Sequence, residues 1–168
     1  TYSRGRATLA EVVLELLRKQ SLTLATAESC TGGLVGKMLT DIAGSSDVYL
    51  GGVISYSNFA KVKLLQVNPS TLARVGAVSK EVALEMASGA RAALRSHYAI
   101  SLTGVSGPGG GSAQKPVGTI YVALSGPFGS EFRHQVFFNS RGDRLQNRLF
   151  ASHLALDMLR KNIQENFK

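Results

Sequence analysis

With 168 residues and 44% hydrophobic side chains, the chain is long enough to bury one core without disulfides or structural metals, and it reads as a single domain spanning 1–168. The lone cysteine, Cys30, excludes an internal disulfide and suits a reducing cytoplasm; with three scattered histidines it makes no metal-ligand cluster, so no metal is expected. The net charge of +8 permits nucleic-acid binding, yet no basic run appears and aromatics do not interleave with the basic residues. A solvated basic surface or an anionic small substrate is therefore expected, and nucleic acid is not. No apolar stretch is long enough to cross a membrane, and no apolar segment follows the early arginines as a signal peptide would require.

Apolar residues at Leu9, Val12, Val13, Leu16 and Leu17 mark one face of a first helix. Leu22–Ala27 follows as a short buried strand, and a helix is expected from Thr31 to Ile42, stopped by Ala43-Gly44. Val48–Tyr56 reads as the second strand and Phe59–Leu65 as a helix broken by Asn68-Pro69. Ser79 is a good N-cap for a helix to about Ser96. Ala99–Thr103 is a third apolar strand, and 104–116 is a loop of Gly, Ser and Pro. Val117–Leu124 and Glu131–Phe138 alternate as a strand pair turning at Gly126-Pro127. Leu145, Leu149, Ser152, Leu156 and Leu159 give a closing helix. The order α-β-α-β-α-α-β-β-β-α predicts one α/β domain with three layers (α/β/α) around a mixed, mostly parallel sheet.

In such sheets, sites form beyond the carboxyl ends of the strands. Ser29 follows the first strand, Tyr56 ends the second and the glycine loop follows the third, so parallel strands bring all three to one edge. Ser29 can serve as a helix N-cap. Equally, it can act as a nucleophile beside the N–H groups of Cys30 to Gly32, which would form an oxyanion hole. Lys61 is either a surface residue or, if Phe59, Val62, Leu64 and Leu65 bury it, a general base with a lowered pKa. Tyr56 is either a packing residue or a group that relays a proton or orients Ser29. Cys30 competes with Ser29 as nucleophile but has no histidine at a recognisable partner position, which favours a buried packing role. The loop Ser106–Gly111 is a turn or a nest of N–H groups for phosphate or ribose, which Lys115, Arg141 and Arg144 can supplement. A Ser–Lys pair beside a glycine loop points to an amidohydrolase acting on a nucleotide-like substrate.

Five runs in order, Glu28–Gly33, Gly51-Gly52 with Tyr56-Ser57-Asn58 and Lys61, Gly76–Ser79, Thr103–Gly110 and Lys115–Thr119, resemble the CinA carboxy-terminal domain family. The likeness covers roughly 8–160. It departs from the family pattern at Val105-Ser106, where Ile-Ala is more usual. The resemblance implies a cytoplasmic nicotinamide-nucleotide amidase that converts nicotinamide mononucleotide to nicotinic acid mononucleotide and ammonia, recycling pyridine nucleotides. It implies Ser29 as nucleophile with Lys61 and Tyr56 as catalytic partners. The expected oxyanion and substrate-binding set is Cys30, Thr31, Gly32, Gly33, Thr103, Gly104, Gly107, Gly109, Gly110 and Arg141. A homo-oligomer is the expected assembly. The alternatives are a pyridine-nucleotide-binding module without turnover and an accessory factor of competence or DNA damage.

Overall fold

The computed structural model describes residues 7–137 and 143–167. Its elements run α1 (Leu9–Lys19), β1 (Leu24–Glu28), α2 (Leu34–Thr40), β2 (Tyr49–Ile54), α3 (Asn58–Leu65), α4 (Pro69–Val75), α5 (Lys80–Leu94), β3 (Tyr98–Gly104), β4 (Thr119–Gly126), β5 (Gly129–Val136) and α6 (Arg144–Asn166), with a 3₁₀ turn at Ser45–Asp47. The five strands lie in the order β2-β1-β3-β4-β5. β1 pairs in parallel with both β2 and β3, whereas β3–β4 and β4–β5 are antiparallel, so β4 alone runs against the others. Helices α1, α2 and α6 cover one face, and α5, with α3 and α4 packed on it, covers the other. Among the described residues, no helix is long and apolar enough to cross a membrane.

Two departures from the sequence reading have local causes. Asn68-Pro69 does not merely end a helix but starts α4. The Asn68 side chain accepts from Ser70 N, and Pro69 sits in the first turn, where its missing N–H leaves no bond unmade. Helix α2 begins at Leu34 rather than Thr31, because Gly32 and Gly33 take positive φ values of 59° and 98°. The last part of the expected strand Glu131–Phe138, Phe138 itself, lies outside the described residues.

The two faces are packed differently. Leu24, Ile100, Leu102, Val122 and Leu124 point with α1, α2 and α6 into the larger core. On the opposite face the strands present Ala25, Ala27, Ala99, Ser101 and Ala123. Small residues there bring α5 close to the sheet, and Ser101 Oγ donates to the carbonyl of Ala83 at 2.5 Å.

Strand register sets the functional edge. Glu28 is level with Ile54 on β2 and with Leu102 on β3. The segments that follow these residues, 29–33, 55–57 and 103–111, therefore emerge side by side.

Candidate active site

Side chains alternate between the two faces of a strand. In β1 this sends Leu24 and Glu28 toward α2 and puts Ala25, Ala27 and then Ser29 on the side of α3 and α5. Ser29 extends the ladder by one bond, its N–H donating to Leu102 O at 3.0 Å. The chain then turns tightly, and Gly32 N donates back to Ser29 O at 3.1 Å. Gly33 is the N-cap of α2 and has no side chain to cap with. Glu28 caps the helix in its place. Its Oε2 accepts from Thr31 Oγ1 (2.7 Å), Gly33 N (3.1 Å) and Val35 N (3.1 Å), and its Oε1 accepts from Gly36 N (2.8 Å). Ser29 is thus not the helix cap. Of the turn's N–H groups expected to line an oxyanion hole, that of Gly32 is taken by Ser29 O and that of Gly33 by Glu28. Those of Cys30 and Thr31 donate to no other described residue, and that of Cys30 bears on its own sulfur.

Lys61 lies on α3, which Ser57 caps by accepting from Ala60 N at 3.1 Å. The lysine is 1% exposed. Its Nζ stands 2.9 Å from Ser29 Oγ and 2.7 Å from Ser55 O, and in the ammonium form it donates to both. Burial lowers the Lys61 pKa from the ordinary lysine value; the neighbouring Cys30 thiol opposes the shift. The burial does not come from all the side chains expected to supply it. Phe59 and Leu64 are exposed, and α3 buries Lys61 and Leu65 on the face it turns to the sheet.

Ser29 and Lys61 open into a cleft of about 320 Å³, whose walls include Tyr56, Asn58, Val78, Thr103, the loop from Gly104 to Gly110, and Arg144. Its size falls at the lower end of small-molecule clefts, roughly 300–1,000 Å³. Tyr56 is at the rim, 63% exposed. Its hydroxyl accepts from Arg144 Nη2 at 2.9 Å, while Arg144 Nη1 donates to Gly107 O at 2.9 Å. The tyrosine therefore shares the cleft with Ser29 but is held by an arginine 88 positions further on. Thr103 Oγ1 donates to Ala77 O at 2.9 Å and fixes the facing wall. Asn147 Nδ2 donates to Ser106 O at 2.9 Å, and Arg148 Nη2 donates to Thr31 O at 2.6 Å. The first turns of α6 thus fasten both the glycine loop and the serine turn.

Within the loop, Gly107 and Gly110 have φ of 81° and 83°, a region L side chains rarely adopt. Gly104 has no room for a side chain, since a Cβ there would lie 2.6 Å from Thr119 O. Gly109 faces open space. Lys115 does not line the cleft. Its Nζ donates to Val75 O at 2.8 Å and ties the loop's far end to α4. Arg141 lies outside the described residues. Burial pushes the Cys30 thiol up to about 11, partly offset by a hydrogen bond from Ser106. At that value the group stays almost wholly as the thiol, its poorly nucleophilic form. A second hollow of about 190 Å³ lies across β1, between α2 and β2, and is lined by Glu28, Tyr49 and Gly52 among others.

The sequence reading missed three residues: Glu28, Asn147 and Arg148. Glu28 had a signal. A helix that starts after Thr31-Gly32-Gly33 lacks a capping side chain of its own, and Glu28 is the nearest carboxylate.

The fold and site define a three-layer α/β protein with a buried Ser–Lys pair at the carboxyl edge of its parallel strands. The sequence model of the CinA C-terminal domain matches residues 6–163, and the chain belongs to that family. It is 48% identical over 162 residues to a CinA-like protein of Trichormus variabilis, covering 96% of this chain and 39% of that one. It is 51% identical over 156 residues to a CinA-like protein of Microcystis aeruginosa, covering 93% and 37%. The chain thus spans about two fifths of the length of the curated relatives it matches. Among solved structures, it is similar to the competence/damage inducible protein CihA of Agrobacterium tumefaciens (38% identity, TM-score 0.87, covering 97% of this chain and 99% of that one). It is also similar to the competence damage-inducible protein A (ComA) of Klebsiella pneumoniae (32% identity, TM-score 0.89, covering 95% and 97%).

Proposed function

We propose that this protein hydrolyses the carboxamide of nicotinamide mononucleotide, yielding nicotinic acid mononucleotide and ammonia, with Ser29 as nucleophile and Lys61 as base. The observation that carries this reading is the 2.9 Å contact between Lys61 Nζ and Ser29 Oγ, made by a lysine that is 1% exposed. A desolvated lysine gives up its proton more readily than an ordinary one. Once neutral, its lone pair faces Ser29 Oγ while one N–H remains on Ser55 O.

In this mechanism Lys61 takes the Ser29 proton as Oγ bonds to the amide carbon. The oxyanion is met by the N–H groups of Cys30 and Thr31. The C–N bond breaks as the Lys61 ammonium protonates the leaving nitrogen, releasing ammonia. Water, deprotonated by Lys61, then attacks the Ser29 ester, and the Lys61 ammonium returns the proton to Ser29 Oγ as the acid leaves. Tyr56 and Arg144, joined at the rim, contact the nucleotide, and the glycine loop offers N–H groups to its phosphate. None of these steps calls for a metal or an organic cofactor.

The test is incubation with nicotinamide mononucleotide in metal-free buffer, measuring acid product and ammonia. Equimolar release by the wild type and none by Ser29→Ala, with nucleotide binding retained, supports the reading. Turnover at a similar rate by Ser29→Ala would refute it.

A further inference from the structure

Glu28 precedes the serine and faces the opposite side of the sheet. It is 1% exposed, and both carboxylate oxygens are occupied by four donors drawn from the next eight residues. Ordinary caps satisfy one or two orphan N–H groups. This one collects the N–H groups of Gly33, Val35 and Gly36 together with the Thr31 hydroxyl. It therefore closes the whole segment between Ser29 and α2 into one rigid loop. Arg148 grips the same segment from α6 through Thr31 O. Gly32 and Gly33, both at positive φ, would otherwise leave this turn free to sample other backbone states.

Two consequences follow for the serine. Its backbone is pinned at both ends, by Leu102 O on β3 and by the Glu28 clasp behind it, so Oγ is held at Lys61 without any bond beyond that to Nζ. The clasp also sorts the donors of the turn. It draws the α2 amides to the far side of the sheet and leaves those of Cys30 and Thr31 donating to no other described residue. We infer that Glu28 is a positioning residue that sets the reactivity of Ser29 by clasping the serine turn, without touching the reacting atoms. The inference rests on the proposed role of Ser29 as nucleophile.

The probe is an alkyl fluorophosphonate, which reports serine reactivity whatever the natural substrate. Ser29 Oγ bonds to phosphorus, the P–F bond breaks, fluoride leaves and Lys61 takes the serine proton. Labelling is followed by intact mass in the wild type, Ser29→Ala, Glu28→Gln and Glu28→Asp. Amide hydrogen exchange is read in parallel at residues 33–36. In Glu28→Gln an amide NH₂ confronts N–H donors, and in Glu28→Asp the carboxylate falls one methylene short. In either variant that folds, exchange at 33–36 should accelerate and Ser29 labelling should slow by roughly ten- to a hundredfold, as a misplacement of about 1 Å would give. The pH at which labelling is half-maximal should stay put, because Lys61 remains buried. Faster exchange with unchanged labelling would make Glu28 a helix cap only and overturn the inference, as would unchanged exchange. A shifted pH midpoint would equally overturn it, since Glu28 would then act on Lys61 rather than on the turn. An unlabelled wild type would remove the nucleophile assignment and this inference with it. Labelling that depends on Glu28 in a protein that does not turn over nicotinamide mononucleotide would support the inference and refute only the substrate.

Discussion

Gly89 of α5 packs so tightly on Leu65, the last residue of α3, that a Cβ at Gly89 would lie 1.9 Å from the Leu65 carbonyl oxygen. That carbonyl is backbone and has no rotamer by which to yield. The contact fixes the distance between α5 and α3, and α3 carries Lys61. Gly89→Ala is therefore expected to cost about 1–3 kcal/mol by overpacking. It should also lower activity by moving Lys61 off Ser29. Urea unfolding and turnover of the purified variant check both effects; wild-type values for each would show that the helices separate without disturbing the site.

Cys30 should be chemically quiet. With its pKa pushed up to about 11, about one thiol in a thousand is ionised at pH 8, against about a quarter for a free cysteine. Alkylation by iodoacetamide at pH 8 should be at least about a hundredfold slower in the folded protein than in urea. Cys30→Ala should keep most of the activity. Loss of activity in a folded Cys30→Ala would move the nucleophile assignment to the thiol.

Much of this site was legible because each motif stands at the carboxyl end of a strand. Ser29, Tyr56 and Thr103–Gly110 each follow a strand, and three parallel strands deliver them to one edge. What the sequence could not supply were pairings across long separations. Nothing local to Tyr56 announces Arg144 as its partner, and nothing near Thr31 announces Arg148. The cause of the lowered Lys61 pKa was only partly legible. Burial was expected, but from neighbours that include the exposed Phe59; the positive end of α2, which could also disfavour an ammonium, is already met by Glu28. Helix α4 was hidden because Asn-Pro reads equally as a stop and as a start.

The buried Lys61 makes stability depend on pH in a definite direction. Its folded pKa is lowered, so between that value and the unfolded one, near 10.5, the unfolded chain holds a proton that the folded protein does not. Stability contributed through this residue therefore rises with pH across that window, and below it the buried ammonium opposes folding. Lys61→Met removes the titration. The difference in unfolding free energy, wild type minus Lys61→Met, should grow from pH 7 to pH 9.5 in chemical denaturation. A pH-independent difference would mean that Lys61 titrates alike in both states.

If nicotinamide mononucleotide is the substrate, its phosphate should contribute strongly to turnover. Each charge-assisted contact from the glycine loop or Arg144 is worth about 1.5–3 kcal/mol, roughly ten- to a hundredfold. Nicotinamide riboside should thus show a correspondingly lower kcat/KM than the mononucleotide. Equal values would place the phosphate outside the cleft.

The most direct test of the Ser29–Lys61 account is the initial rate of ammonia release from nicotinamide mononucleotide by Lys61→Arg beside the wild type, across a range of pH. Arginine keeps a positive charge but cannot surrender its proton. If Lys61 is the base, the wild-type kcat/KM rises with pH through one ionisation below 10.5, and the folded arginine variant lacks that rise and loses about a hundredfold to ten-thousandfold of the rate at the pH where the wild type is fully active. A Lys61→Arg enzyme that keeps a substantial fraction of wild-type activity would contradict the account: the lysine would serve as a fixed charge, and the base would have to be sought elsewhere, Tyr56 first.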